Sequence, residues 1–338
     1  VPSRPSATVV IPCYNHGRFV ADAVRSALAQ QDADVRVVVV DDGSDDGASP
    51  DCCLQAARLD PRVRHHRQPN AGLPAARNAG ARLAREDHPA DYLVFLDADD
   101  WIEPAFVARL HDAVAREGDD AVSHAYCQER LVEKGSGVWA VPEWDPLLLL
   151  VTNLHPVTAL IRRDRFEAAG GFDETLRTGY EDWDLWLRFA ERSWRGVRVR
   201  EPLFVWRRHS DQTMVMHAAK RHAELLSAVI DRHPALYEPN ARRVIELSNV
   251  LLRRADANWL DENGEAIYVR DLRARNCELF DELETAQAKV RELRELVDEY
   301  ERKPSVRVAR AVFRVVDAMP RPLAEPVRAL ARWARRAL

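Results

Sequence analysis

The stretch Tyr92-Leu93-Val94-Phe95-Leu96-Asp97-Ala98-Asp99-Asp100 joins five apolar residues directly to an acidic cluster. An apolar run without alternation reads as a strand buried on both faces, the pattern of a parallel sheet. The same junction occurs twice earlier in the chain. Thr8-Val9-Val10-Ile11 runs into Pro12-Cys13-Tyr14-Asn15, and Val35 to Val40 runs into Asp41-Asp42-Gly43-Ser44. Between these strands Phe19, Val20, Ala23, Val24, Ala27 and Leu28 recur at helical spacing, and Pro74 opens a second helix reaching about Glu86. Glu103-Pro104 starts another helix, Ala121 to Tyr126 reads as a strand, and strand-like Val197 to Trp206 closes the domain. Such alternation predicts an α/β fold on a mostly parallel sheet. Ligands of such sheets lie beyond the carboxyl ends of the strands. The three polar clusters should therefore meet at one crevice.

The side chains limit what that crevice can do. Asp97 and Asp99, two apart at a strand end, can face one hard divalent cation and one ribose, although acidic turns also end many strands. Tyr14 offers a ring face to a base, while Asp41 or Asp42 can accept from base or ribose donors. Arg77 supplies positive charge near a base or a phosphate. The plain alternatives are a turn at Asp42-Gly43-Ser44 and a surface helix position at Arg77. Glu181-Asp182 precedes the apolar helix residues Trp183, Leu185, Trp186, Leu187 and Phe189. A carboxylate there can act as general base toward a hydroxyl, or can simply complement the helix dipole.

Taken together, these residues resemble the family 2 glycosyltransferases of the GT-A fold. The matching stretches are "VVIPCYNHGRFVADAVRSALAQ", "VVVVDDGSDDG", "NAGLPAARNAG", "YLVFLDADDWIEP", "GGFDE" and "GYEDWDLWLRFA". The resemblance implies inverting transfer of a sugar from a nucleotide-diphosphate sugar, UDP- or dTDP-linked, to a carbohydrate or glycolipid hydroxyl. It implies a divalent metal, Mn2+ or Mg2+, and a place in surface polysaccharide, glycolipid or glycoconjugate synthesis. By resemblance Pro12, Tyr14 and Asn15 line the base pocket with Asp42 and Arg77. Asp97 contacts the ribose side, Asp99 holds the metal, and Asp182 is the catalytic base. His209, after Trp206-Arg207-Arg208, matches a late histidine that completes the metal and diphosphate site. His155, Trp139 and Trp144 are available to an acceptor groove, with buried packing their expected role.

The chain is expected to divide into a transferase domain (1–214), a helical region (215–270), a short coiled coil (271–303) and a basic amphipathic tail (304–338). Leu272, Leu279, Leu283, Ala286, Val290, Leu293, Val297 and Tyr300 form a heptad seam that predicts either a homodimer or a helix folded back on the body of the chain, and Pro304 ends it. From Arg302 onward ten basic residues face only Asp317 and Glu325, within a chain of net charge -5. That tail suits an anionic membrane surface, at ~1 kcal/mol per basic residue, an acidic partner, or simply a solvated charged face, and the acidic remainder argues against nucleic acid. Cys13, Cys52, Cys53, Cys127 and Cys277 form no C-x-x-C pair, which fits a reducing compartment. Val1 to Ser6 lacks an apolar signal core, and no apolar run approaches the ~20 residues of a membrane span. A cytoplasmic protein with peripheral contact at the inner face of the cell membrane is expected.

Other readings need features that differ. A nucleotidyltransferase would carry a glycine-rich phosphate loop after the first strand, and a dinucleotide oxidoreductase would carry G-x-G-x-x-G there. Pro12-Cys13-Tyr14-Asn15-His16-Gly17 is neither. A non-catalytic scaffold, binding through the sheet domain and the coiled coil, would not require Asp97, Asp99 and Asp182.

Overall fold

Continuous apolar stretches pair first. In the computed structural model, which describes residues 4–87, 89–133, 136–209 and 220–258, β1 (Ser6–Cys13) lies parallel to β2 (Asp34–Asp41) in full register, from Ser6 opposite Asp34 to Cys13 opposite Asp41. On its other side β1 pairs with β4 (Tyr92–Phe95), and the Leu96 amide extends this ladder to the Val10 carbonyl at 3.0 Å. All three strands end at one edge. Cys13, Asp41 and Asp97 thus arrive together, as the sequence pattern requires.

Helices cover both faces. α1 (Gly17–Leu28) buries Val20, Ala23, Val24 and Ala27 at helical spacing against one face. α3 (Leu73–Asp87) covers the other, and Gly80 makes its close approach possible: a Cβ there would lie 2.2 Å from Val10 Cγ1. Between them run α2 (Ser49–Ala57) and the edge strand β3 (Val63–Arg67), which pairs with β2.

The later half adds β5 (Trp101–Ile102), α4 (Phe106–Glu117), β6 (Val122–Glu133), β7 (Gly137–Trp139) and α5 (Pro146–Leu149). It continues with β8 (Leu160–Arg162), α6 (Arg163–Ala168), α7 (Glu181–Glu191) and β9 (Arg195–Arg208). Strand order is β3-β2-β1-β4-β8-β6-β9-β5, with β7 on the side of β6. The sheet is mixed: β1–β2, β1–β4, β2–β3 and β6–β9 are parallel, whereas β4–β8, β5–β9, β6–β7 and β6–β8 are antiparallel. Parallel pairing dominates where strand–helix alternation is clean, in the N-terminal half.

Two helices follow, α8 (His222–Arg232) and α9 (Pro234–Asn258). The chain divides into two units, Val1–Gly264 and Glu265–Leu338. The expected coiled coil and basic tail lie outside the described residues. Among the described residues no helix is long and apolar enough to cross a membrane. Cys13, Cys52, Cys53 and Cys127 are free thiols, and Cys277 is outside the described part.

Candidate active site

The crevice is built around Arg77, which the surface-helix alternative placed wrongly. Its side chain is 2% exposed, and its guanidinium joins two motifs 84 residues apart: Nη2 donates to Asp97 Oδ1 at 2.7 Å and Nη1 to Glu181 Oε1 at 2.5 Å. Burial opposes its charge, but Asp97 and Glu181 outweigh that and hold it firmly protonated. α3 therefore fixes the acidic turn after β4 against the start of α7.

That start presents Asp182. Tyr180 takes a left-handed conformation (φ 67°) before α7 begins. Asp182 Oδ1 accepts the Trp183 amide at 2.7 Å and Oδ2 accepts Asn153 Nδ2 at 3.0 Å. Burial, then the Glu181 charge, pushes the Asp182 carboxyl up to about 7 against the opposing pull of Arg77. A carboxyl in that range exchanges protons readily near neutrality.

On the acidic turn, Asp99 Oδ2 lies 2.9 Å from His209 Nε2 and 3.8 Å from His16 Nδ1. The two imidazoles meet edge to face at 5.7 Å. Asp100 is 5% exposed and accepts the Arg207 amide at 2.8 Å; burial first, then Asp99 and Asp97, drives its carboxyl well above the usual range. His16 and Asp100 were not singled out in the sequence. His16 shares a strand-end cluster with Tyr14 and Asn15, and that was its only signal.

A hard cation takes oxygen and imidazole donors, and Asp99 with His209 offers one of each. Among the described residues no three His, Cys, Asp or Glu side chains are grouped to hold a metal. Two protein donors suit a cation whose remaining ligands are substrate phosphate oxygens and water, rather than an all-protein cage.

The other residues expected here are placed as follows. Pro12 is buried within β1, and Tyr14 lies 45% exposed at the strand end. Asn15 (φ 58°) knits the neighbouring loop: its Oδ1 accepts the Asp45 and Asp46 amides at 3.0 and 3.2 Å, and its Nδ2 donates to Asp45 Oδ1 at 2.8 Å. Asp41 is fully buried, accepts the Ser44 amide at 2.9 Å and faces Arg67 Nη1 at 3.2 Å. Asp42 accepts from Gln68 Nε2 (2.8 Å) and from the Ala71 and Gly72 amides (both 2.9 Å). Its carboxylate ties the loop before α3 to the end of β2. His155 is 3% exposed, with its Nε2 3.0 Å from His124 Nε2, and Trp144 packs against the same core. Trp139 departs from the expected packing, because it is 49% exposed on the short outer strand β7.

Residues 8–167 match the family described as Glycosyl transferase family 2. That segment is a family 2 glycosyl transferase domain. The glycosyltransferase GlyA of Streptococcus pneumoniae is 36% identical over 120 residues, 35% of this chain and 16% of GlyA. The uncharacterized glycosyltransferase EpsJ of Bacillus subtilis is 30% identical over 216 residues, 60% of this chain and 61% of EpsJ. The chain thus spans less than two thirds of either relative. Among solved structures, the mannosyltransferase PcManGT of Pyrobaculum calidifontis, in complex with GDP-Man and Mn2+, superimposes with a TM-score of 0.54 at 18% identity. That superposition covers 81% of this chain and 87% of PcManGT. It shows that residues 8–167 and the elements following them share the fold of that mannosyltransferase.

Proposed function

We propose that this chain is an inverting glycosyltransferase that moves a sugar from a nucleotide-diphosphate donor, UDP- or dTDP-linked, to a hydroxyl of a carbohydrate or glycolipid acceptor. One observation carries the reading: Arg77 ties the acidic turn after β4 to the Glu181-Asp182 pair, and Asp182 is pushed up to about 7. The acceptor hydroxyl attacks the anomeric carbon and gives its proton to Asp182. The bond from that carbon to the diphosphate oxygen breaks, and its electron pair leaves on the nucleoside diphosphate. Asn153 and the Trp183 amide hold the Asp182 carboxyl in one orientation throughout.

Asp99 and His209 would hold a divalent cation, Mn2+ or Mg2+, whose charge would stabilise the departing diphosphate. Asp97, held by Arg77 yet partly exposed, would meet the ribose. Tyr14 supplies the exposed ring for the base, while Asp41, Asp42 and Asn15 set the loops around it.

Calorimetry with UDP, dTDP and GDP, with and without Mn2+, tests this directly. The expected result is tight binding of UDP or dTDP only with the metal, and its loss in Asp99→Ala. Failure of all three nucleotides to bind in the presence of Mn2+ would sink the donor reading.

A further inference from the structure

One acid near Asp182 has no part in that scheme. Glu129, on β6, is 6% exposed, and among the described residues no group hydrogen-bonds to its carboxyl. Burial, then the Asp182 charge, pushes it up to about 8, and Glu129 in turn is one of the charges acting on Asp100. It is therefore within electrostatic reach of both the base and the acidic turn. Its sequence neighbour differs: Arg130 points to Glu103, with Nη2 to Oε1 at 3.1 Å. Other acids of the crevice have protein partners, Asp97 and Glu181 on Arg77 and Asp182 on Asn153. A buried carboxyl without a partner is costly, and a polar ligand entering the crevice would relieve that cost.

The surface beside it has a matching chemistry. Glu129 stands directly opposite Trp139 in the β6–β7 ladder, and opposed residues of antiparallel strands project from the same face as close neighbours. The Trp139 ring is 49% exposed and meets Trp206 at 6.5 Å, nearly edge to face. Trp206 carries the Arg208 guanidinium 5.4 Å above its ring. An exposed indole next to an unpartnered acid is suited to a pyranose. The apolar C–H face of the sugar packs on the ring while its hydroxyls reach the carboxyl.

We propose that Glu129 and Trp139 form the acceptor subsite, in which Trp139 packs against an acceptor pyranose and Glu129 hydrogen-bonds the hydroxyl next to the one that Asp182 deprotonates. The acceptor class is then a glycan end bearing two neighbouring hydroxyls, rather than an isolated hydroxyl on a lipid or a peptide. This proposal rests on the transferase reading above, and its test separates the two.

Saturation-transfer NMR on the full chain, with UDP and Mn2+ present, would measure binding of the methyl pyranosides of glucose, galactose, mannose and N-acetylglucosamine. At least one glycoside should bind the wild-type protein and Glu129→Gln comparably, since an amide keeps both a donor and an acceptor. Glu129→Ala and Trp139→Ala should each weaken it by about tenfold or more, a loss of ~1.4 kcal/mol. Calorimetric UDP binding on every variant reports the donor site independently. If UDP binds and no glycoside binds the wild type, or if both alanine variants bind glycosides like the wild type, the subsite is overturned while the donor reading stands. If UDP itself fails to bind the wild type, the reading beneath both fails.

Discussion

Arg77 shows how much a single buried charge can organise. Its two carboxylate partners come from separate motifs, so removing it strands Glu181 in the interior and frees Asp97. Breaking a buried pair from one side costs about 3–5 kcal/mol, and Arg77→Met should lose stability on that scale in urea unfolding. Arg77→Lys should recover only part, because a compact ammonium cannot span two carboxylates as the planar fork does. Asp182 gives the opposite expectation for stability. Its carboxyl is raised in the folded state, so ionising it there disfavours folding once the pH exceeds the unfolded value of ~3.9. Asp182→Asn should therefore raise Tm at pH 8, by roughly 2–4 °C for each kcal/mol relieved, while keeping nucleotide binding and losing transfer by ~100-fold or more. Wild-type turnover should be half-maximal near pH 7, falling as Asp182 is protonated below that and levelling off above. A profile flat across neutrality would place the base on another residue.

At the scale of elements, α3 is the spine of the site, and its sequence is specific for reasons visible only in the fold. Gly80 admits β1, Arg77 joins the two acidic motifs, and Asn78 clamps the loop after α6. Asn78 Nδ2 donates to the Phe172 carbonyl and its Oδ1 accepts the Phe172 amide, both at 2.9 Å, and Nδ2 also reaches Glu174 at 3.0 Å. Gly171, in a left-handed turn (φ 75°), leaves room for that clamp, since a Cβ there would lie 2.7 Å from Asn78 Oδ1. Asn78→Ala should cost about 1–3 kcal/mol and increase protease cleavage within residues 169–176, which limited proteolysis would detect. The strands readable from sequence are β1, β2 and β4, which have unbroken apolar runs, together with the longer β6 and β9. β3, Val-Arg-His-His-Arg, and the short β5 and β7 were not readable, because edge pairing rather than hydrophobic patterning makes them strands. The site divides in the same way. Asp97, Asp99 and Asp182 stand at legible element ends, whereas the approach of His16 to Asp99 and the electrostatic reach of Asp182 to Glu129 depend on how distant segments are brought together.

For the molecule as a whole, α8 and α9 are joined to the sheet domain partly through a histidine, so their attachment should depend on pH. His233 is 2% exposed and lies between two acids of α7, with Nε2 3.1 Å from Asp184 Oδ1 and Nδ1 2.8 Å from Glu191 Oε1. Burial lowers its pKa, but the hydrogen bonds to Asp184 and Glu191 outweigh burial and leave it raised. Arg188 also reaches Asp184, at 2.8 Å, so part of that negative charge remains matched when His233 is neutral. A histidine raised in the folded state contributes stability that is complete below its unfolded value of ~6.5 and disappears as pH climbs through the folded value. The buried His124–His155 pair has the opposite sign. Burial lowers both, His155 to about 3, so each resists protonation and costs stability as pH falls below ~6.5. The two effects act in different parts of the molecule and can be separated. Protection of the α9 amides, once exchange is corrected for its intrinsic base catalysis, should fall between pH 6 and pH 8, and His233→Gln should remove that fall while costing about 1–3 kcal/mol at pH 6. Protection in β6, which carries His124, should instead fall as the pH is taken from 6.5 toward 5. Equal loss of protection in α9 and β6 in both directions would mean that neither histidine acts locally.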